Sequence, residues 1–124
     1  MTAIDDLSRN IMESVINYAD NVSVAVDNKV KVAAEAVRNE AAANAPKKSG
    51  NYAKGFIITK RKIGGQQKLV VWNKKYYNLV HLLEKGHAKK NGGRVLGIPH
   101  LIPAFERHAA QLLNDIRQVI RNGG

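Results

Sequence analysis

Twelve apolar residues, Ile4, Leu7, Ile11, Val15, Tyr18, Val22, Ala25, Val26, Val30, Ala33, Val37 and Ala41, recur mostly at three- and four-residue steps. That spacing puts them on one side of a helix covering residues 4–44. Asp5 and Asp6 suit the positive end of its dipole. The stretches Ala33-Ala34-Glu35-Ala36 and Ala41-Ala42-Ala43 are strong helix formers. Pro46 biases Ala45 away from helical geometry and marks the stop. Unbroken, the helix is ~60 Å long at about 1.5 Å per residue, more than a chain of 124 residues can cover by itself. Either it breaks near Asp20-Asn21 or Asp27-Asn28, or part of its stripe packs on another subunit. The second is expected.

The remaining residues predict a small sheet and a closing helix. Lys47-Lys48-Ser49-Gly50-Asn51 reads as a polar loop. Tyr52 to Lys62 and Lys68 to Asn73, rich in β-branched and aromatic residues, read as two strands. Ile63-Gly64-Gly65-Gln66-Gln67 between them supplies the positive φ of an antiparallel hairpin. Tyr76 to Lys85 reads as a short helix capped by Gly86. His87 to Gly97 has three glycines, three bases and no apolar period, so a flexible loop over 87–98 is expected that orders on docking. Pro103 suits the first position of a last helix over 103–121, where Phe105, Ala109, Leu112, Leu113, Ile116, Val119 and Ile120 form a stripe. The expectation is one domain over 1–124: an α+β fold in which a long N-terminal helix and a C-terminal helix pack on a small, mostly antiparallel sheet. Its segments are 1–44 helix, 45–75 loop and hairpin, 76–86 short helix, then the loop and the final helix.

Charge is distributed unevenly. Residues 45–98 hold thirteen Lys and Arg against one acid, Glu84, which accounts for nearly all of the net charge of +10. The N-terminal stretch is acidic, with Asp5, Asp6, Glu13, Asp20 and Asp27 among its seven carboxylates. A field of this kind attracts polyanions or acidic protein surfaces without defining a substrate. The clusters Lys60-Arg61-Lys62, Lys74-Lys75 and Lys89-Lys90 suit phosphate contact. Tyr52, Trp72, Tyr76 and Tyr77 lie among them as in base-stacking proteins, although no recognition-helix, RNP or KH signature is present. A solvated basic face over core aromatics, or a surface for acidic protein neighbours, explains the same residues.

The chemistry-bearing residues do not assemble into a catalytic pattern. With no Cys, the chain has no disulfides, thiolate zinc sites or cysteine nucleophiles, which fits a reducing cytosol. His81, His87, His100 and His108 match no metal-ligand spacing. Glu84 beside Lys85 and His87 lacks a positioned partner for general acid–base work and reads as a structural salt bridge. Ser49 has no nucleophile-elbow context, and the Gly pairs at 64–65 and 92–93 lack the Lys-Ser/Thr of a phosphate loop. Neither catalysis, nor a metal, nor a cofactor is expected. No apolar run reaches the roughly 18 residues of a membrane span, and the acidic Met1 to Asp6 is the reverse of a secretory leader, so an unexported chain is expected.

Three blocks in order resemble a family of tailed-phage minor tail or head–tail joining proteins, also called tail-completion, neck or connector components. They are Ala45-Pro46-Lys47-Lys48-Ser49-Gly50-Asn51-Tyr52, Tyr76-Tyr77-Asn78-Leu79-Val80-His81-Leu82-Leu83-Glu84-Lys85-Gly86-His87, and Pro99-His100-Leu101-Ile102-Pro103-Ala104-Phe105. Ser49 stands where members usually have Thr, Tyr52 where they have Leu, and His87 where they have Thr. Lys85 separates Glu84 from Gly86 where many carry an aromatic.

The resemblance implies a structural virion protein, made in the bacterial host cytoplasm, that forms a ring, hexameric by the resemblance, between a head-completion or connector protein and the tail-tube protein. On that reading Asp5, Asp6, Glu13, Lys47, Lys48 and Glu84 are the expected subunit or partner interface, acidic helix against a neighbour's basic loop. Lys89, Lys90 and Arg94 are the expected contacts to passing DNA. The alternative is a small basic DNA- or RNA-binding regulatory protein.

Overall fold

One helix, α1 (Ala3–Asn44), runs without interruption through Asp20-Asn21 and Asp27-Asn28. The computed structural model describes residues 3–46 and 50–124, so Lys47, Lys48 and Ser49 lie outside the described residues. The last helix, α4 (Leu101–Asn122), packs antiparallel along α1. At one end the Tyr18 hydroxyl donates to the Ile120 carbonyl at 2.5 Å. At the other, Arg107 donates to Glu40 at 2.6 Å, with His108 Nε2 3.5 Å from the same oxygen. Because α4 ends beside Tyr18 and Asn21, residues 3–17 of α1 run on past it for about 22 Å.

The core sits at the opposite end of α1. Val37, Ala41, Ala45, Tyr52, Phe56 and Ala104 form a single buried cluster. Small side chains dominate the helical contribution, and Ala41 and Ala104 are fully buried. They let α1 and α4 approach each other and the sheet closely, while Phe56 and Tyr52 fill the remaining volume edge to face with ring centroids 5.3 Å apart. Burying a side chain such as Phe56 is worth about 2 kcal/mol.

The sheet is a two-stranded antiparallel hairpin of β1 (Phe56–Ile63) and β2 (Gln66–Asn73), in register from Phe56 opposite Asn73 to Ile63 opposite Gln66. Its turn is only Gly64-Gly65, at φ of 61° and 79°. Two consecutive positive φ values make the primed turn whose twist matches paired strands. Only the base of the hairpin is covered; Lys60 to Lys68 are exposed. The α+β class and the order of its main elements are those the sequence predicts.

Three local differences have physical causes. Residues Asn51–Lys54 form a helical turn, α2, so β1 starts at Phe56 and not at Tyr52. The turn swings Tyr52 inward, and Asn73 fixes it by donating to the Tyr52 carbonyl at 2.7 Å. The stretch Tyr77–Leu79 is a 3-10 turn leading into α3 (Val80–Lys85). Finally, the glycine-rich segment contains a second small hairpin, β3 (Gly86–Ala88) with β4 (Arg94–Leu96). It forms because Gly86, at φ 78° and ψ 179°, ends α3 and enters β3 directly. A Cβ there would stand 2.2 Å from the Val95 carbonyl oxygen.

Candidate functional site

The most organised polar group of the chain is built around the one acid of the basic middle section. Glu84 is 4% exposed, at the end of α3 among Val80 and Leu83. Its carboxylate faces the start of α4. Oε1 accepts from the backbone N–H of His100 at 2.9 Å and of Leu101 at 2.5 Å, and Oε2 accepts from Ile102 at 3.3 Å. A helix leaves its first four N–H groups without intrahelical partners. Here three of the four donate to Glu84, and the fourth position is Pro103, which has no N–H. Pro103 thus stands third in α4, which begins at Leu101 and not at Pro103 as expected. The negative charge also lies at the positive end of the α4 dipole.

His100 continues the network. Its Nδ1 is 2.7 Å from the Ile98 carbonyl and 2.9 Å from Glu84 Oε1, both acceptors, so Nδ1 carries a proton. Nε2 is 2.6 Å from the Tyr52 hydroxyl and, in the neutral ring, accepts from it. The Tyr52 carbonyl in turn accepts from Asn73, whose Oδ1 accepts the Tyr76 N–H at 2.9 Å. Burial, reinforced by the Glu84 charge, pushes the Tyr52 hydroxyl up to about 12. Asn73, Tyr52, His100 and Glu84 therefore tie α2, β2, α3 and α4 into one body. Among the described residues, no buried side-chain nitrogen or oxygen lacks a hydrogen-bond partner.

An acid, an imidazole and a hydroxyl in sequence invite comparison with a catalytic triad. The surroundings point elsewhere. His100 is 1% exposed and Tyr52 is 9% exposed. Neither surface groove described below is lined by any of the three. Both Glu84 oxygens are occupied by backbone donors, so nothing in the arrangement faces a substrate. It is a latch that fixes where α4 starts.

Two apolar surface features stay exposed among the described residues. The first is the projecting part of α1, where Ile4, Leu7, Ile11, Met12, Val15 and Ile16 are each more than half exposed. The second is a groove of about 650 Å³ between α1, β2 and α4, walled by Val37, Val70, Leu101, Phe105, Ala109 and Leu112. Phe105 is 61% exposed at its lip. A neighbouring groove of about 750 Å³ has a charged lining that includes Asp27, Lys31, Glu35, Arg38, Lys60 and Lys68.

The expected interface and DNA-contact residues fall into separate places. Asp5, Asp6 and Glu13 are exposed on the projecting turns of α1. Lys47 and Lys48 lie outside the described residues. Glu84, expected at a subunit or partner interface, is instead inside the fold as the cap of α4. Lys89, Lys90 and Arg94 share the β3–β4 hairpin and are exposed, with Arg94 also donating to the Lys85 carbonyl at 2.9 Å.

Of the aromatics read as stacking platforms, Tyr52 is buried. Trp72 donates to Thr59 at 2.8 Å and lies beneath the Arg61 guanidinium, 5.8 Å from the ring centroid. His81 and His87 are exposed, and His108 is half-buried beside Glu40. Among the described residues no group of three or more His, Cys, Asp or Glu is placed to hold a metal, and no helix is long and apolar enough to cross a membrane.

Sequence spacing does not reveal the latch, because its members lie 16 to 48 residues apart. One signal is present: His100 offers no local carboxylate or hydroxyl to cap α4, so the cap has to come from elsewhere, and Glu84 is the single acid of residues 45–98.

The profile of the HK97-gp10-like family, described as "Bacteriophage HK97-gp10, putative tail-component", matches residues 9–86. The match takes in most of α1, the β1–β2 hairpin and Glu84, and stops before the Pro99-to-Phe105 block. No curated protein and no solved structure matches the chain. The matched residues make up more than half of the sequence, and the chain belongs to the HK97-gp10-like family of tailed-phage proteins as a tail-related structural component of the virion.

Proposed function

We propose that this chain is a tail-completion protein, joining the head connector to the tail tube as a ring of identical subunits. The observation that carries the reading is the projecting end of α1. A phage structural subunit that leaves about four helical turns of Ile, Leu, Met and Val uncovered needs a neighbour to cover them. A ring supplies one through a head-to-tail contact that closes on itself. The acidic Asp5, Asp6 and Glu13 then approach a neighbour's basic surface, of which Lys47 and Lys48 are expected members. Lys89, Lys90 and Arg94, on a short hairpin, make loose, sequence-independent contact with DNA passing the junction. The chain performs no bond-making step in this role.

Particles assembled without the chain test the reading. Filled heads and finished tails should accumulate apart, and an antibody against the chain should label the head–tail junction of complete virions. Label along the tail tube or at its distal tip contradicts it. Ring assembly should also weaken as salt rises, and indifference to salt and to reversal of Lys47 and Lys48 removes the acidic–basic contact from the proposal. The regulator reading is the weaker one, because Tyr52 is buried and Trp72 lies under the Arg61 guanidinium, which leaves Tyr77, 67% exposed, as the open ring of the four.

A further inference from the structure

We infer that the projecting arm of α1, residues 4–15, docks into the α1–β2–α4 groove of a second copy of this chain. The inference deepens the ring reading and rests on it for biological setting, but its argument is geometric. Arm and groove each present an apolar stripe that stays exposed among the described residues. They also match in length. From Ile4 to Val15 the arm's stripe covers twelve residues, and from Leu101 to Leu112 the α4 wall of the groove covers twelve, so each is about 16 Å long.

The arm cannot fill the groove of its own chain. The opposite wall of that groove is Val30 to Val37 of the same unbroken helix, and Ile11 lies about 28 Å from Val30 along its axis. Bringing them together requires breaking α1. Each copy therefore offers one arm and one groove; two copies can exchange arms reciprocally as a dimer, or the contact can run head to tail and close as a ring, and the ring reading takes the second.

Charge favours the same pairing. The arm carries Asp5, Asp6 and Glu13 against Arg9, while the hairpin beside the groove carries exposed Lys60, Arg61, Lys62 and Lys68. Opposite fields of this kind speed encounter and orient the arm, leaving affinity to the apolar stripe. Phe105 at the groove lip has the character of an anchor, a large aromatic at the rim of an apolar slot.

Disulfide trapping in the full chain tests this cleanly, because the natural sequence has no Cys. A chain carrying both Ile11→Cys and Ala109→Cys should give, on oxidation, a ladder of covalent oligomers ending in a closed species. An equimolar mixture of the two single variants should give the hetero-linked pair and little else. Leu7→Glu on the arm, or Phe105→Glu at the lip, should each weaken association by at least about thirtyfold with the far-ultraviolet spectrum unchanged. Mixing those two variants should restore pairs but not rings, since one intact arm meets one intact groove.

Ile11→Cys chains linking readily to one another would overturn the inference in favour of arm–arm pairing. So would a wild-type chain that stays monomeric, or a doubly substituted chain that stays uncrosslinked on oxidation. An arm that, in the virion, links to a different protein overturns it as well. The chain found at the head–tail junction together with any of these results leaves the joining role standing and removes only the arm-in-groove contact.

Discussion

Residues 4–18 and residues 30–44 of α1 share one apolar spacing, yet α4 and the sheet cover only the second. Their compositions differ in a way that explains this. The covered half is built on Ala34, Val37, Ala41 and Ala45, small enough for α4 and the base of the hairpin to reach the helix surface. The uncovered half presents Ile4, Leu7, Ile11, Met12, Val15 and Ile16, long side chains that are each more than half exposed. A helix stripe thus says that something is covered, and side-chain size says at what distance. Alanines meet a close neighbour in the same fold, and branched or long residues reach outward.

The contrast can be broken most severely by loosening what holds α4 against the covered half. Glu84→Ala removes the acceptor for the N–H groups of His100, Leu101 and Ile102 and leaves them unpaired at a buried helix start. A loss of about 3 kcal/mol or more in chemical denaturation is expected. Ala41→Leu, at a fully buried position, should cost about 2 kcal/mol by overpacking, whereas Ile11→Ala on the arm should change the unfolding of the single chain by less than about 0.5 kcal/mol. Equal losses at the two positions would remove the distinction between the halves.

Alkaline titration sharpens the same comparison. The Tyr52 hydroxyl is raised to about 12 in the fold, and in an unfolded chain tyrosine ionises near pH ~10. Between those values the folded chain keeps a proton the unfolded chain has lost, so this contribution is fully present below pH ~10. It falls away as the pH rises toward about 12, by roughly 2 kcal/mol. Tyr52→Phe should abolish that slope in stability measured against pH. The smallest effect is expected where covered and uncovered parts meet: Tyr18→Phe loses one exposed hydrogen bond to the Ile120 carbonyl and should cost less than about 1 kcal/mol.

Much of the architecture was legible from period and punctuation. The long helix and its stop at Pro46, the Gly64-Gly65 hairpin, the final amphipathic helix and the family all follow from signals within a short window of sequence. What escaped was set by contacts between distant residues. Glu84 reads as an isolated carboxylate until α3 is seen to end against α4. Tyr52 reads as a strand residue because nothing local shows that Asn73 will hold its carbonyl in a helical turn. The β3–β4 hairpin lacks an apolar alternation because its strands are three residues each and largely exposed, so glycine geometry organises them more than burial does.

The division of α1 is tested most directly by thiol labelling of the Ile11→Cys chain, free and dissociated in one sample and assembled in the virion in the other. Fast labelling of the free chain and strong protection in the particle are expected, since the arm lies bare alone and is covered by a neighbour once assembled. Equal reactivity in the two states would mean that the projecting half of α1 stays uncovered, and the claim that it exists to engage another molecule would fail.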